Sequence, residues 1–206
     1  MEECIGKILS FYKKHLEIDE NKEAILKYSL QITISTIFSF GLALIVAWPL
    51  GIVAYVFMMM MTNATLRFFS GGAHCESMRN CTIYGMVLCN IAGLLTENME
   101  PDKNILYIAF GIFLFSVWAI QKYAPSDTPQ KPITSKKKRK KLKIRAFIFV
   151  CAWNFCVINY YIIFHKVHPM MLASALGILS QSFSITQKGY QFAHGIDRLF
   201  NKILGE

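Results

Sequence analysis

Long apolar runs separated by short charged segments dominate this chain. No charged residue occurs between Tyr28 and Leu66, and further apolar runs follow at about 78–96, 104–121, 146–164 and 169–187. Roughly 20 apolar residues cross the hydrocarbon core as a helix. The pattern therefore predicts an all-α protein with six transmembrane helices: Tyr28–Ala47, Leu50–Leu66, Met78–Thr96, Asn104–Gln121, Ala146–Phe164 and Pro169–Gln187. Trp48-Pro49-Leu50-Gly51 ends the first of these and allows a tight reversal into the second. The sixth is the least hydrophobic, carrying Ser174, Ser180, Gln181, Ser182 and Ser184, and is expected to face other helices more than lipid.

The ends read differently. In residues 1–27, Ile5, Ile8, Leu9, Tyr12 and Leu16 recur at spacings of three and four, with Lys7, Lys13 and Lys14 elsewhere. This predicts an amphipathic helix, either lying on the inner membrane surface or packed on the bundle's cytoplasmic end. Residues 188–206 repeat the pattern weakly as a tail. The charged first segment is too long for a secretory n-region and no small-residue cleavage signal follows, so Tyr28 onward reads as a retained helix.

Composition supports this picture. Of 206 residues, 54% are hydrophobic and 17% charged, and the charges are segregated rather than spread over every helix. A soluble surface would need them interspersed. With both termini cytoplasmic, all but Lys103 and Lys166 of the 22 Lys and Arg residues fall inside, ten of them in the basic loop 122–145. The positive-inside rule thus predicts a multi-pass membrane protein whose termini and 67–81 segment face the cytosol. The six cysteines do not resemble a disulfide framework. Cys89, Cys151 and Cys156 lie within apolar runs, while Cys4, Cys75 and Cys81 sit on or near the reducing side.

Candidate chemistry concentrates between the second and third predicted helices, in Arg67-Phe-Phe-Ser-Gly71-Gly72-Ala-His74-Cys75-Glu-Ser-Met-Arg-Asn-Cys81. Cys81 falls in the first turn of the third helix, where the helix dipole favours thiolate. Its helix carries Gly85, Cys89 and Gly93 at successive i+4 steps, a small-residue stripe turned toward other helices. His74 is a candidate base. On an unbroken helix seven residues separate the two by about 10 Å, too far for a Cys–His hydrogen bond, so the backbone must fold back between them. Gly71-Gly72 permits such a loop. Neither Glu76 nor Asn80 is singled out as a third member. His74, Cys75 and Cys81 lack paired metal-ligand spacing, so no metal or other cofactor is expected. Arg67 is read either as a phosphate anchor or as a bidentate partner for a substrate carboxylate. The run Lys136, Lys137, Lys138, Arg139, Lys140 and Lys141 is read either as a topology and anionic-lipid determinant or as a landing patch for an acidic peptide. Nucleic acid is not an expected partner.

Arg67, Gly71-Gly72, His74 and Cys81, set between hydrophobic segments of a basic chain of this length, resemble the accessory gene regulator B (AgrB) family. The resemblance implies a membrane-embedded cysteine endopeptidase of peptide quorum sensing, with one domain over 1–206. By this resemblance Cys81 is the nucleophile, His74 its base, Gly71, Gly72 and Arg67 support the site, and Lys136–Lys141 is the basic cytosolic loop. Its substrate would be a short AgrD-like autoinducer propeptide. The C-terminal tail is removed through an acyl-thioester on Cys81, and cyclisation gives a thiolactone or lactone. Anionic lipids and a second copy are further expected partners. The rival readings are a non-proteolytic peptide transporter and a membrane scaffold.

Overall fold

The computed structural model describes residues 2–15, 19–73, 75, 77–127 and 133–204. Eight helices follow one another within them: α1 (Glu2–His15), α2 (Glu20–Ala47), α3 (Val53–Ser70), α4 (Met78–Asn98), α5 (Asn104–Tyr123), α6 (Lys136–Phe164), α7 (Pro169–Ser184) and α8 (Gln187–Leu204). The described residues form no strand, only an isolated bridge between Gly71 and Ser126. Among the described residues, three helices are long and apolar enough to cross a membrane: Lys22–Ala47 of α2, α5 and α6. Helices α3, α4 and α7 occupy the other predicted spans.

Two boundaries differ from expectation. Residues 20–27 belong to α2, not to the N-terminal helix: Asp19 caps α2 by accepting the Lys22 backbone N–H at 2.7 Å. The basic stretch is likewise not all loop, because α6 begins at Lys136, with Ser135 as its cap. Lys and Arg are good helix formers, and once α6 is started by its cap the charged residues extend it into water.

Helix α7 is the hub. Met171, Leu172, Ala175 and Ile178 join Leu66 of α3, Ile112, Ala119 and Ile120 of α5 and Val150, Trp153 and Val157 of α6 in the larger core. Its hydroxyls and amides meet partners instead of lipid. Trp153 Nε1 donates to Ser174 Oγ at 3.0 Å, Ser182 Oγ to Ser116 Oγ at 2.8 Å, and Asn63 Nδ2 to Ser180 Oγ at 2.7 Å. Gly177 sets the close approach of α3, since a Cβ there would lie 2.1 Å from Thr62 Oγ1 and 2.4 Å from the Met59 carbonyl oxygen. The inward-facing expectation for this helix is met.

A second core joins Ala43 and Ala47 of α2 to Val56 and Met60 of α3, with Ile52 between them. Asn90 of α4 donates to the Ala43 carbonyl at 3.2 Å, tying α4 to α2. Along the small-residue stripe, Gly93 fits against Val56 and Ile52, whereas nothing comes within 4 Å of the Cβ position at Gly85. The stripe closes on α3 at one end and opens at the other.

Candidate active site

Helix α3 ends at Ser70 because the chain turns into a conformation that side chains resist. Gly71 has φ 66° and Gly72 φ 139°. The turn is held from both sides. Ser126 donates its N–H to the Ser70 carbonyl at 2.8 Å and accepts the Gly72 N–H at 3.2 Å, while Ala73 donates to the Ser184 carbonyl at 3.1 Å. Fully buried Gln181 of α7 completes the grip. Its Nε2 donates to Ser70 Oγ at 2.8 Å and to the Gly71 carbonyl at 2.6 Å, and its Oε1 accepts from Arg67 at 3.2 Å. Arg67 also donates to the Ala73 carbonyl. Its guanidinium is thus turned inward, tying the end of α3 to the loop and to α7.

After this turn the described residues Ala73, Cys75 and Ser77 are non-helical, and α4 starts at Met78. Cys81 donates its backbone N–H to the Ser77 carbonyl at 3.1 Å, in the first turn as expected. The Cys75 thiol is hydrogen-bonded to Cys81, so the loop folds back over the start of α4. That contact, followed by burial, pushes the Cys75 thiol well above its ordinary value; the charges of Cys81 and Asp197 act in the same direction and Arg67 opposes them. The Cys75 thiol is thus held in its protonated form. His74 and Glu76 lie outside the described residues.

Both thiols open onto a cavity of about 440 Å³ enclosed by α2, α3, α4, α7 and α8. Arg67 and Ala73 reach it from the turn. Its walls mix hydroxyls and amides (Ser35, Ser39, Asn63) with Met59, Tyr84 and Phe183. This volume lies within the range of small-molecule and side-chain pockets. A thiol at the edge of a partly apolar recess is an arrangement that can serve acyl transfer, with space for another group beside the sulfur. Among the described residues, no group of three or more His, Cys, Asp or Glu could hold a metal ion.

The profile of the accessory gene regulator B family matches residues 5–185. The chain belongs to this family. An AgrB-like protein of Clostridium perfringens strain SM101 is 29% identical over 99% of this chain and all of its own length. AgrB-like protein 2 of Clostridium perfringens strain 13 is 28% identical over the same shares. An AgrB-like protein of Listeria innocua is 28% identical over 63% of this chain and 62% of its own. No solved structure matches the chain.

The structure brings Arg67, Gly71, Gly72 and Cys81 of this AgrB-family chain together and adds Cys75. It divides the basic run. Lys136, Lys137, Lys138, Lys140 and Lys141 are exposed on α6. Arg139 instead donates to the Pro125 carbonyl at 3.2 Å and to Asp127 Oδ2 at 2.8 Å, bracing the segment that holds the twin-glycine turn. The Ile133 backbone N–H, together with Arg139, keeps the Asp127 carboxyl below its ordinary value. Ser126 is also fixed to α8, its Oγ 2.8 Å from Tyr190 Oη.

Sequence reasoning missed Gln181 as a site residue, along with Ser126, Asp127 and Asp197. Gln181 carried one signal, as an amide within an apolar run. Asp197 carried another, an acid at the i+4 position after Gly189 and Ala193 on α8. Nothing local marks Ser126.

Proposed function

We propose that this AgrB-family chain is a membrane-embedded cysteine endopeptidase of the accessory gene regulator system, acting on a short autoinducer propeptide. The supporting observation is the juxtaposition of Cys81 with a second thiol and an inward-turned arginine beside the internal cavity, at the point where α4 meets the twin-glycine turn. In this reading His74 takes the Cys81 proton and the thiolate attacks a propeptide carbonyl. The peptide C–N bond breaks, the imidazolium protonates the departing amine, and the tail leaves an acyl-thioester on sulfur. A substrate Cys or Ser then attacks that acyl group. Its proton passes to the base, Cys81 is released, and a thiolactone or lactone ring closes.

Transfer between thioesters is close to thermoneutral, whereas forming a thioester from an amide is uphill. Removal of the tail or of the ring therefore drives the sequence, and the partly apolar recess protects the intermediate from water. Six spanning helices with cytosolic termini and site belong to the same proposal, with the exposed lysines of α6 receiving acidic peptide or anionic lipid. A transport-only role leaves the paired thiols without a task.

Co-expression with the propeptide tests the assignment. Cys81→Ala should abolish tail release with membrane insertion unchanged, and Cys81→Ser should leave at most a trace. Tail release by Cys81→Ala at the wild-type rate would overturn it.

A further inference from the structure

Two thiols meet where acyl transfer needs only one. Cys75, in the loop after the twin-glycine turn, is hydrogen-bonded to Cys81 in the first turn of α4. Both are free and half-buried, and both line the cavity beside Arg67. Cys81 is held in place by its neighbour. Asn80, fully buried, donates from Nδ2 to Asp197 Oδ1 at 3.0 Å and to Asn201 Oδ1 at 3.2 Å, which pins the start of α4 to α8. Cys75 instead sits on a non-helical residue. Hydrogen-bonded sulfurs need only a short further approach to reach the roughly 2.05 Å of a disulfide. Cys89 shares the cavity wall, but eight residues of helix put it about 12 Å from Cys81 along the axis, beyond bonding reach.

A partly accessible thiol with a second thiol in contact is the arrangement that redox-responsive cysteines use. We propose that Cys75 and Cys81 form a reversible disulfide in response to hydrogen peroxide, which switches the site off and spares the Cys81 sulfur from irreversible oxidation. First the Cys81 thiolate attacks the peroxide. An S–O bond forms, the O–O bond breaks, and the departing hydroxide takes up the proton that Cys81 gave up and leaves as water. Cys81 is now a sulfenic acid, and its charge no longer opposes ionisation of Cys75. The Cys75 sulfur then attacks the sulfenic sulfur. The S–S bond forms, the S–O bond breaks, and the oxygen leaves as water with the Cys75 proton. Two thiols lose two electrons, and one peroxide becomes two waters. A dithiol reductant restores both thiols by exchange. The switching of activity rests on Cys81 as the nucleophile of the proposed protease; the disulfide itself does not.

Full-length protein in lipid vesicles, treated with hydrogen peroxide, tests this. Tail release is measured before and after dithiothreitol, each variant against its own untreated rate. Wild type should lose nearly all processing on oxidation and regain it on reduction. Trypsin, cutting after Arg67, Arg79 and Lys103, leaves Cys75 in 68–79 and Cys81 with Cys89 in 80–103. Non-reducing mass spectrometry should find these two peptides linked, with fragmentation placing the bond at Cys81. A link to Cys89 would overturn the proposal. Thiols that stay unlinked would do the same, whether untouched or with Cys81 carried to sulfinic acid, and so would full processing by the linked protein. In Cys75→Ser the same exposure should leave Cys81 as sulfinic acid, its loss persisting after dithiothreitol; recovery to the wild-type extent counts against the pairing. The oxidation state of Cys81 is read by mass, so a slow Cys75→Ser variant still decides the matter. Failure of the protease reading looks different: Cys81→Ala would process like wild type before any oxidant is added, while the Cys75–Cys81 link would still form in wild type.

Discussion

At Gly71 a side chain is excluded both by conformation and by space. Its φ of 66° disfavours any L residue, and a Cβ would fall 1.9 Å from the Ser126 carbonyl oxygen. At Gly72 the Cβ would meet Ser184 Oγ at 2.5 Å. The first contact is with backbone, which cannot step aside without releasing the 124–127 segment. Gly71→Ala should therefore abolish processing while circular dichroism still reports intact helices, because the cores around α7 and α2 lie elsewhere. Gln181 presents the reverse case, a side chain whose every polar atom is used. Gln181→Leu would take one hydrogen-bond partner each from Arg67, Ser70 and the Gly71 carbonyl, at about 0.5–1.5 kcal/mol for each net hydrogen bond. A clear drop in the thermal midpoint of the detergent-purified protein is expected. An unchanged midpoint would mean water takes over those bonds.

Between elements, the turn is held by a relay: Arg139 of α6 holds Pro125 and Asp127, and Ser126 between them holds Gly72 and Ser70. The ion pair itself is partly exposed, which limits its direct stabilisation to about 0.2–1 kcal/mol. Its effect on position is greater. Arg139→Gln should reduce processing several-fold, whereas Lys137→Gln, on an exposed residue, should act only through charge and be rescued at low salt. The Asp127 carboxyl is held below its ordinary value by the Ile133 N–H and Arg139, so its contribution is complete above about pH 4 and is lost as pH falls through the lowered value. The stability gap between wild type and Arg139→Gln should be constant from pH 5 to 7 and close below pH 4. A gap that persists in acid would deny the ion pair its role.

This relay also shows what the sequence could and could not convey. Helix positions follow from apolar runs, and the inward face of α7 follows from serines and a glutamine placed where lipid would reject them. The Gly71–Gly72 bend was legible because only glycine tolerates such dihedrals. The partners of that bend lie 55 residues away at Ser126 and 110 away at Gln181 (126 − 71 and 181 − 71). A serine in a Pro-Ser-Asp turn has the same local chemistry whether or not a distant loop docks on it. The Asn80–Asp197 pair was hidden for the same reason, and Arg139 was hidden within a run of like charges.

The molecule as a whole presents apolar side chains outward to an extent that water would not tolerate. Ile37 and Ile45 of α2, Tyr107 and Leu114 of α5, and Phe155 and Ile163 of α6 are all more than half exposed. Such a surface belongs against hydrocarbon. The length of α7 bears on how it sits within that surface. Its 16 residues rise about 24 Å, short of a hydrocarbon core of about 30 Å. It packs against α3, α5 and α4, so Ser174, Gln181 and Ser182 stay buried and its ends need only reach water locally. The six-span arrangement proposed above would put Lys103 and Lys166 outside and Lys188 inside. Alkaline phosphatase fused after Lys103 or Lys166 should be active, and after Ile133 or Lys188 inactive. The Lys188 fusion carries the argument. If α7 entered and left on the same side, that fusion would be active and α8 would stand outside, where it could not wall the cavity of a cytosolic Cys81. An inactive Lys188 fusion with an active Lys166 fusion puts α7 across the membrane and α8 on the same side as the thiols it encloses.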